Sequence, residues 1–140
     1  MLSYERLKIL VIAEKDTVGL TIADAILEKT GGREADHLIG AIGGDTVLIT
    51  WPNGHAMELA PPEAYDSAWG NQRDEGILPL VPPLSGFRYQ PKHPPYVSRV
   101  RDWISRSDEV VNACDAAREG ELIFHELVRY CGSLNPKAKL

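Results

Sequence analysis

Val110–Phe124 reads VVNACDAAREGELIF, and the fold follows from how that stretch divides. Val110 and Val111 are the end of a buried strand. Asp115, Arg118, Glu119 and Glu121 then crowd into seven positions, and Leu122, Ile123 and Phe124 open an apolar helical face. A strand that runs into an acidic turn and then a helix is the half-unit of an open α/β sheet. Such sheets bind ligands beyond the carboxyl ends of their strands. Hard cations such as Mg²⁺ take oxygen ligands, usually one or two carboxylates with waters and phosphate oxygens. The same acids also suit an ordinary helix N-terminus, whose dipole favours negative charge.

A second stretch repeats the pattern near the start. Leu7–Ala13 (LKILVIA) is a short apolar run rich in Ile and Val and reads as a buried strand. Glu14 and Lys15 stand at its end. With Thr17 as N-cap, a helix from Val18 places Leu20, Ile22, Ala23, Ile26 and Leu27 on one side, and Gly31-Gly32 stops it. Between the two motifs, His37–Ile42 and Val47–Trp51 read as strands, separated by the Gly43-Gly44-Asp45 turn and closed by Pro52-Asn53-Gly54. They suggest a hairpin beside the parallel strands. His55 follows directly; an isolated histidine is as a rule structural or exposed, and here it is also a candidate for phosphate contact.

Ala60–Pro95 is irregular. It holds eight of the ten prolines, with Tyr65, Trp69, Phe87 and Tyr89 among them. That is too aromatic for a disordered linker. It reads as an ordered excursion with a short strand near Phe87–Gln90. Arg73, Arg88, Lys92 and His93 are sparse there and read as surface. A helix over Tyr96–Ser105 sets Val97, Val100, Trp103 and Ile104 at helical spacing. It leads to the strand Val110–Cys114, and a last helix over Glu119–Cys131 buries Leu122, Ile123, Leu127 and Val128. The order is β–α–β–β–excursion–α–β–α: an α/β fold with a central, mainly parallel four-stranded sheet and helices on both faces.

The totals bound the function. At 140 residues, 44% hydrophobic and 25% charged, the chain reads as one globular domain over 1–140, with 1–6 and 133–140 flexible. No apolar run approaches the roughly 20 residues that span a bilayer, so no membrane partner is expected. The two cysteines, Cys114 and Cys131, are too few for a disulfide framework and fit a reducing cytoplasm. A net charge of −5 disfavours strong DNA binding by the chain alone, since non-specific affinity comes from Lys and Arg on phosphates.

Taken together, IAEK at Ile12–Lys15 and DAAREGELIF at Asp115–Phe124 resemble the Toprim (Rossmann-like) domain, most closely the amino-terminal one of type IA DNA topoisomerases of the topoisomerase III kind. Asn53–Leu59, Ala64–Asp66, Trp69 and Leu78–Pro82 agree with it. The resemblance implies roles. Glu14 is similar to the family's strand-end glutamate, which serves acid/base chemistry at the scissile phosphate and sits near the metal. Lys15 is similar to its phosphate-contacting partner, and Arg118 falls on the motif's arginine. Asp115 and Glu119 match the first and last acids of the DxDxE metal motif, with Glu121 just beyond. Ala117 stands where that motif has its second aspartate; part of the topoisomerase III group also lacks that acid and reads DAGREGELIF. The implied cofactor is Mg²⁺, or Mn²⁺, with Glu14, Asp115 and Glu119 as ligands and Glu121 and His55 as additions. The implied partners are single-stranded DNA and the downstream domains that carry the nucleophilic tyrosine. On this reading the tail NPKAKL is a connection cut in mid-course, and the chain alone does not relax DNA. Two other readings stay open: a stand-alone metal-dependent nuclease, and a non-catalytic phosphate- or protein-binding module.

Overall fold

A computed structural model describes residues 6–71 and 74–132. In order along the chain, the elements are β1 (Leu7–Ala13), α1 (Asp16–Ile26), β2 (Lys29–Arg33), β3 (His37–Ile42), β4 (Asp45–Thr50), β5 (Met57–Leu59), β6 (Tyr89–Pro91), α2 (Pro94–Arg106), β7 (Ser107–Ala113) and α3 (Arg118–Tyr130). The apolar runs become strands because both faces of the sheet are covered. α1 packs Ala23, Leu20 and Leu27 onto Val11, Val47, Ile49 and Trp51 on one face. On the other, Val97, Val100 and Trp103 of α2 and Phe124 and Leu127 of α3 meet Leu10, Ile12, Leu48 and Val110. The helices therefore lie on both sides, as the sequence suggests.

The sheet has five strands in the order β2-β3-β4-β1-β7, one more than the sequence reading. β1 is parallel to both β4 and β7, while β2, β3 and β4 pair antiparallel. The added strand is β2, KTGGR. It holds the Gly31-Gly32 pair read as a helix stop; α1 has already ended at Ile26. β2 is almost wholly exposed and joins the sheet through backbone pairing alone, so no apolar pattern marks it. Two further readings change. α1 begins at Asp16, with Lys15 rather than Thr17 at the N-cap. Leu122 is exposed, because three consecutive apolar residues turn through about 200° of helix and cannot share one buried face.

The excursion is ordered by a two-stranded ribbon, β5 against β6, and by three short 3-10 turns. Arg88 lies over the Tyr65 ring, 4.6 Å from its centre, and its backbone N–H donates to the Tyr65 hydroxyl. Arg88 is therefore a clamp within the excursion. Arg73 and the expected flexible stretch 133–140 lie outside the described residues, as does 1–5 of the amino-terminal one.

β1, β4 and β7 run in one direction, so their carboxyl ends share one edge, with Ile12 opposite Thr50 and Ala13 opposite Ala113. A polar lock fixes the exit of β4 there. The Asp36 carbonyl accepts from Thr50 Oγ1 (2.7 Å) and from the Trp51 N–H (3.1 Å), while its carboxylate takes Arg99 of α2 and His37 Nδ1. Burial of the Asp36 carboxyl works to raise its pKa, but the hydrogen bonds from His37 and Arg99 prevail and hold it below its ordinary value of 3.8. A carboxyl depressed in the folded state contributes stability above its unfolded pKa and loses it as pH falls through the folded value. Asp36→Asn should therefore be less stable than the wild type at neutral pH, with the gap closing as the pH falls below about 4 in thermal unfolding.

Candidate functional site at the carboxyl ends of the strands

Each strand end delivers one part of the site. β1 leads into Glu14, which is only 7% exposed and is the one buried acidic residue among the described residues. Lys15 Nζ lies 4.0 Å from the Glu14 carboxylate, on a side chain that is 62% exposed. The cation thus faces outward from a buried acid.

β4 delivers the Trp51–His55 turn, which is fastened to the turn after β1 twice. Gly54 N–H donates to the Glu14 carbonyl (3.2 Å), and Asp16 N–H donates to Asn53 Oδ1 (3.2 Å). The α1 N-cap, Lys15, makes no side-chain capping bond. Asn53, 37 residues away, provides that acceptor. It adopts a left-handed φ of 55°, which asparagine tolerates better than most residues.

β7 delivers Cys114 and Asp115, and the chain then folds tightly onto α3. A Cβ on Gly120 would lie 2.1 Å from the Asp115 carbonyl oxygen and 2.7 Å from its nitrogen, so no larger residue fits without moving the backbone. Ala117 is the α3 N-cap and has no side chain to cap with. The missing second acid of the motif is thus also a missing helix cap.

The acids surround a thiol. Burial first, then the charges of Glu14, Asp115 and Glu121, push Cys114 up to about 12. Its Sγ–H points at the Ile12 carbonyl (3.6 Å). Glu119 goes elsewhere: its side chain is 72% exposed and lies 3.6 Å from His55 Nε2. His55 Nδ1 lies 3.9 Å from Glu126, whose side chain is 10% exposed. Glu121 takes Asn112 Nδ2 and His125 Nε2, each at 3.2 Å. Arg118 is exposed at the start of α3 and makes no ion pair among the described residues.

The structure therefore brings Glu14, Lys15, Asp115, Arg118, Glu119 and His55 to one edge of the sheet but divides the acids. Glu14 and Asp115 flank Cys114, Glu119 faces His55, and Glu121 faces His125. Among the described residues no three His, Cys, Asp or Glu side chains gather into a group that could hold a metal ion. As arranged, the acids do not fit a divalent cation. Sequence reasoning missed Asn53 and Glu126. The Pro-Asn-Gly turn was the only local sign of the first; the second depends on a contact between distant segments.

A buried acid with an outward lysine, an exposed arginine and an acidic turn, all at the carboxyl edge of parallel strands, defines an α/β protein with a polar strand-end site. The sequence profile of the Toprim domain matches residues 9–140, and the chain belongs to the Toprim family. Relatives that match it are named DNA topoisomerase 3. The Salmonella typhimurium protein is 34% identical over 123 residues, 86% of this chain and 18% of its own length. The Vibrio cholerae protein is 33% identical over 130 residues, covering 93% and 19%. The Bacillus subtilis protein is 30% identical over 135 residues, covering 95% and 18%. The chain thus spans less than a fifth of the relatives it matches.

Two substitutions test the architecture of the α3 entry. Ala117→Asp should stabilise the fold by about 0.5–2 kcal/mol in urea unfolding, the usual worth of an N-cap acceptor. Gly120→Ala should destabilise by about 3 kcal/mol, the upper end for overpacking, because backbone lies in the way. Gly120→Ala at wild-type stability would contradict the close approach.

Proposed function

We propose that this chain is the Toprim domain of a type IA DNA topoisomerase, formed by residues 1–140 as one unit. In the longer enzyme it would receive the scissile phosphate of single-stranded DNA while a tyrosine on another domain cleaves and religates the strand. The observation that carries the reading is the juxtaposition at β1 and β7: buried Glu14 with Lys15 beside it, and Asp115 and Arg118 at the end of the neighbouring parallel strand. Phosphoryl transfer needs positioning and charge neutralisation above all. Lys15 and Arg118 supply exposed positive charge for phosphate oxygens. Glu14, shielded from water, would hold or deliver a proton at an oxygen of the reacting phosphate.

Mg²⁺, or Mn²⁺, belongs to this proposal through the family resemblance. No step is assigned to it, since the carboxylates are divided in this arrangement. Among the described residues no helix is long and apolar enough to cross a bilayer.

The test is a chimera in which this chain replaces the matching amino-terminal stretch of the Salmonella typhimurium DNA topoisomerase 3. The chimera should relax negatively supercoiled plasmid, and Glu14→Ala within it should lower the rate at least about 100-fold, the usual scale for a proton-transfer group. The 140-residue chain by itself should neither relax nor nick the plasmid. A folded chimera without activity would overturn the topoisomerase reading. Metal-dependent nicking by the chain alone would favour the nuclease instead.

A further inference from the structure

The excursion is where this protein shows most of its apolar surface. Six of the ten exposed large apolar side chains among the described residues lie between Leu59 and Tyr89, with Leu78 at 63%, Phe87 at 65% and Leu84 fully exposed. Such a concentration marks an interaction surface. Set into it is a cavity of about 110 Å³, walled by Pro62, Tyr65, Trp69, Leu80, Pro82 and Phe87. Cofactor and metabolite sites run to about 300–1,000 Å³. This one has room for a single apolar side chain.

The cavity is preset by contacts of its own. The Tyr65 and Trp69 rings stand 6.5 Å apart, tilted by 30°. The Tyr65 hydroxyl accepts from the Arg88 N–H, and the Arg88 guanidinium covers the Tyr65 ring and donates to the Ala64 carbonyl. Asp66 accepts from the Ala68 N–H at 2.9 Å and so closes the short turn that carries Trp69.

The surroundings define what fits. Residues 57–91 hold five acids against two arginines. Glu63, Asp66, Asp74 and Glu75 are exposed, whereas the Arg88 guanidinium is engaged within the excursion. A nucleic acid would bring phosphates to this acidic rim, and a second copy of the chain would bring the same acids; both are repelled. A segment carrying Lys or Arg is attracted. Pro62 and Pro82 have no N–H, which leaves the walls poor in donors for strand pairing. A polyproline II segment has no need of a ladder, and aromatic-lined grooves take it at low entropic cost. The Trp69 indole N–H donates no hydrogen bond among the described residues, so a donor for a peptide carbonyl stands at the cavity wall.

We infer that this cavity is a docking site for an extended, proline-containing segment of another protein, with Lys or Arg beside the inserted residue. Domains of one chain pack through broad faces of about 600–1,500 Å². A preset slot for one side chain with a charged rim suits a separate partner that binds reversibly. The inference is independent of the topoisomerase reading, since none of these residues belongs to the strand-end site.

The experiment titrates the ¹⁵N-labelled 140-residue chain with the peptide acetyl-Pro-Pro-Leu-Pro-Arg-Lys-amide. The Trp69 indole N–H and the amides of Leu80 and Phe87 should shift together and saturate. The indole signals of Trp51 and Trp103, both buried, should stay in place. Alanine for the peptide's prolines, or Glu-Glu for its Arg-Lys, should each weaken binding several-fold. Phe87→Ser should remove the Trp69 shift while the amides of β1, β4 and β7 keep their positions. Leu84→Ser, exposed but outside the cavity wall, should bind as the wild type does. Glu63→Gln/Glu75→Gln should bind several-fold more weakly and with less dependence on salt. No saturable shift at Trp69, or equal binding of the alanine peptide, would overturn the inference. So would a Trp69 signal that moves when the chain alone is concentrated, which would make the occupant a second copy. Calorimetric titration of the Salmonella chimera should give the affinity of the 140-residue chain. Binding by the chain but not by the folded chimera would mean that the enzyme's own later domains cover the cavity, and would overturn the separate partner.

Discussion

The carbonyl of Asp115 occupies the space that a Cβ at position 120 would need, 2.1 Å from it. That close approach lets the chain leave β7, turn once and enter α3 with its first turn against the strand end. Asp115, Arg118 and Glu119 reach the sheet edge together because of it. The neighbouring strand end is fixed by different means: two hydrogen bonds from the Asn53-Gly54 turn, one to the Glu14 carbonyl and one capping α1. Beneath both lies the Asp36 lock, which ties α2 to the entry of β3 and the exit of β4. The acids and cations at the edge have little freedom in their backbones; what freedom there is lies in the side chains.

That distinction explains how the site can hold so many carboxylates. Glu14 is buried, Asp115 is solvated, Glu119 is against His55 and Glu121 against His125. Dispersing them lowers their mutual repulsion. Ala117 removes one further charge from the cluster and one cap from α3. Cys114, between Glu14 and Asp115, stays a thiol because burial and the surrounding acids oppose its ionisation.

Much of this was legible in the chain. Leu7–Ala13, His37–Ile42 and the strand around Val110 announce themselves by apolar runs, and α2 by the spacing of Val97, Val100 and Trp103. β2 did not, because KTGGR buries almost nothing and its Gly pair resembles a stop signal. β6 shows as the short strand near Phe87–Gln90, but β5 is three residues long and pairs with it across the whole excursion, so no local window contains the ribbon. In the site, Glu14, Lys15 and the Asp115–Glu121 stretch were visible as motifs at strand ends. Their partners were not. Asn53 caps a helix 37 positions earlier, and Glu126 comes within 3.9 Å of His55 from another element. A sequence marks which residues carry charge at an edge; pairing among them is decided by segments that meet only in the fold.

The central proposal is that the carboxyl edge of β1 and β7 is where this protein meets a phosphate. Titration of the ¹⁵N-labelled chain with a short single-stranded DNA oligonucleotide tests it most directly, because amide shifts report even weak and partial occupancy. Amides of Glu14–Asp16 and Asp115–Glu119 should shift first, and Lys15→Ala/Arg118→Ala should abolish the effect. Shifts that begin instead around Lys8 and Asp108, at the opposite end of the same strands, or that spread evenly over the surface lysines and arginines, would contradict it.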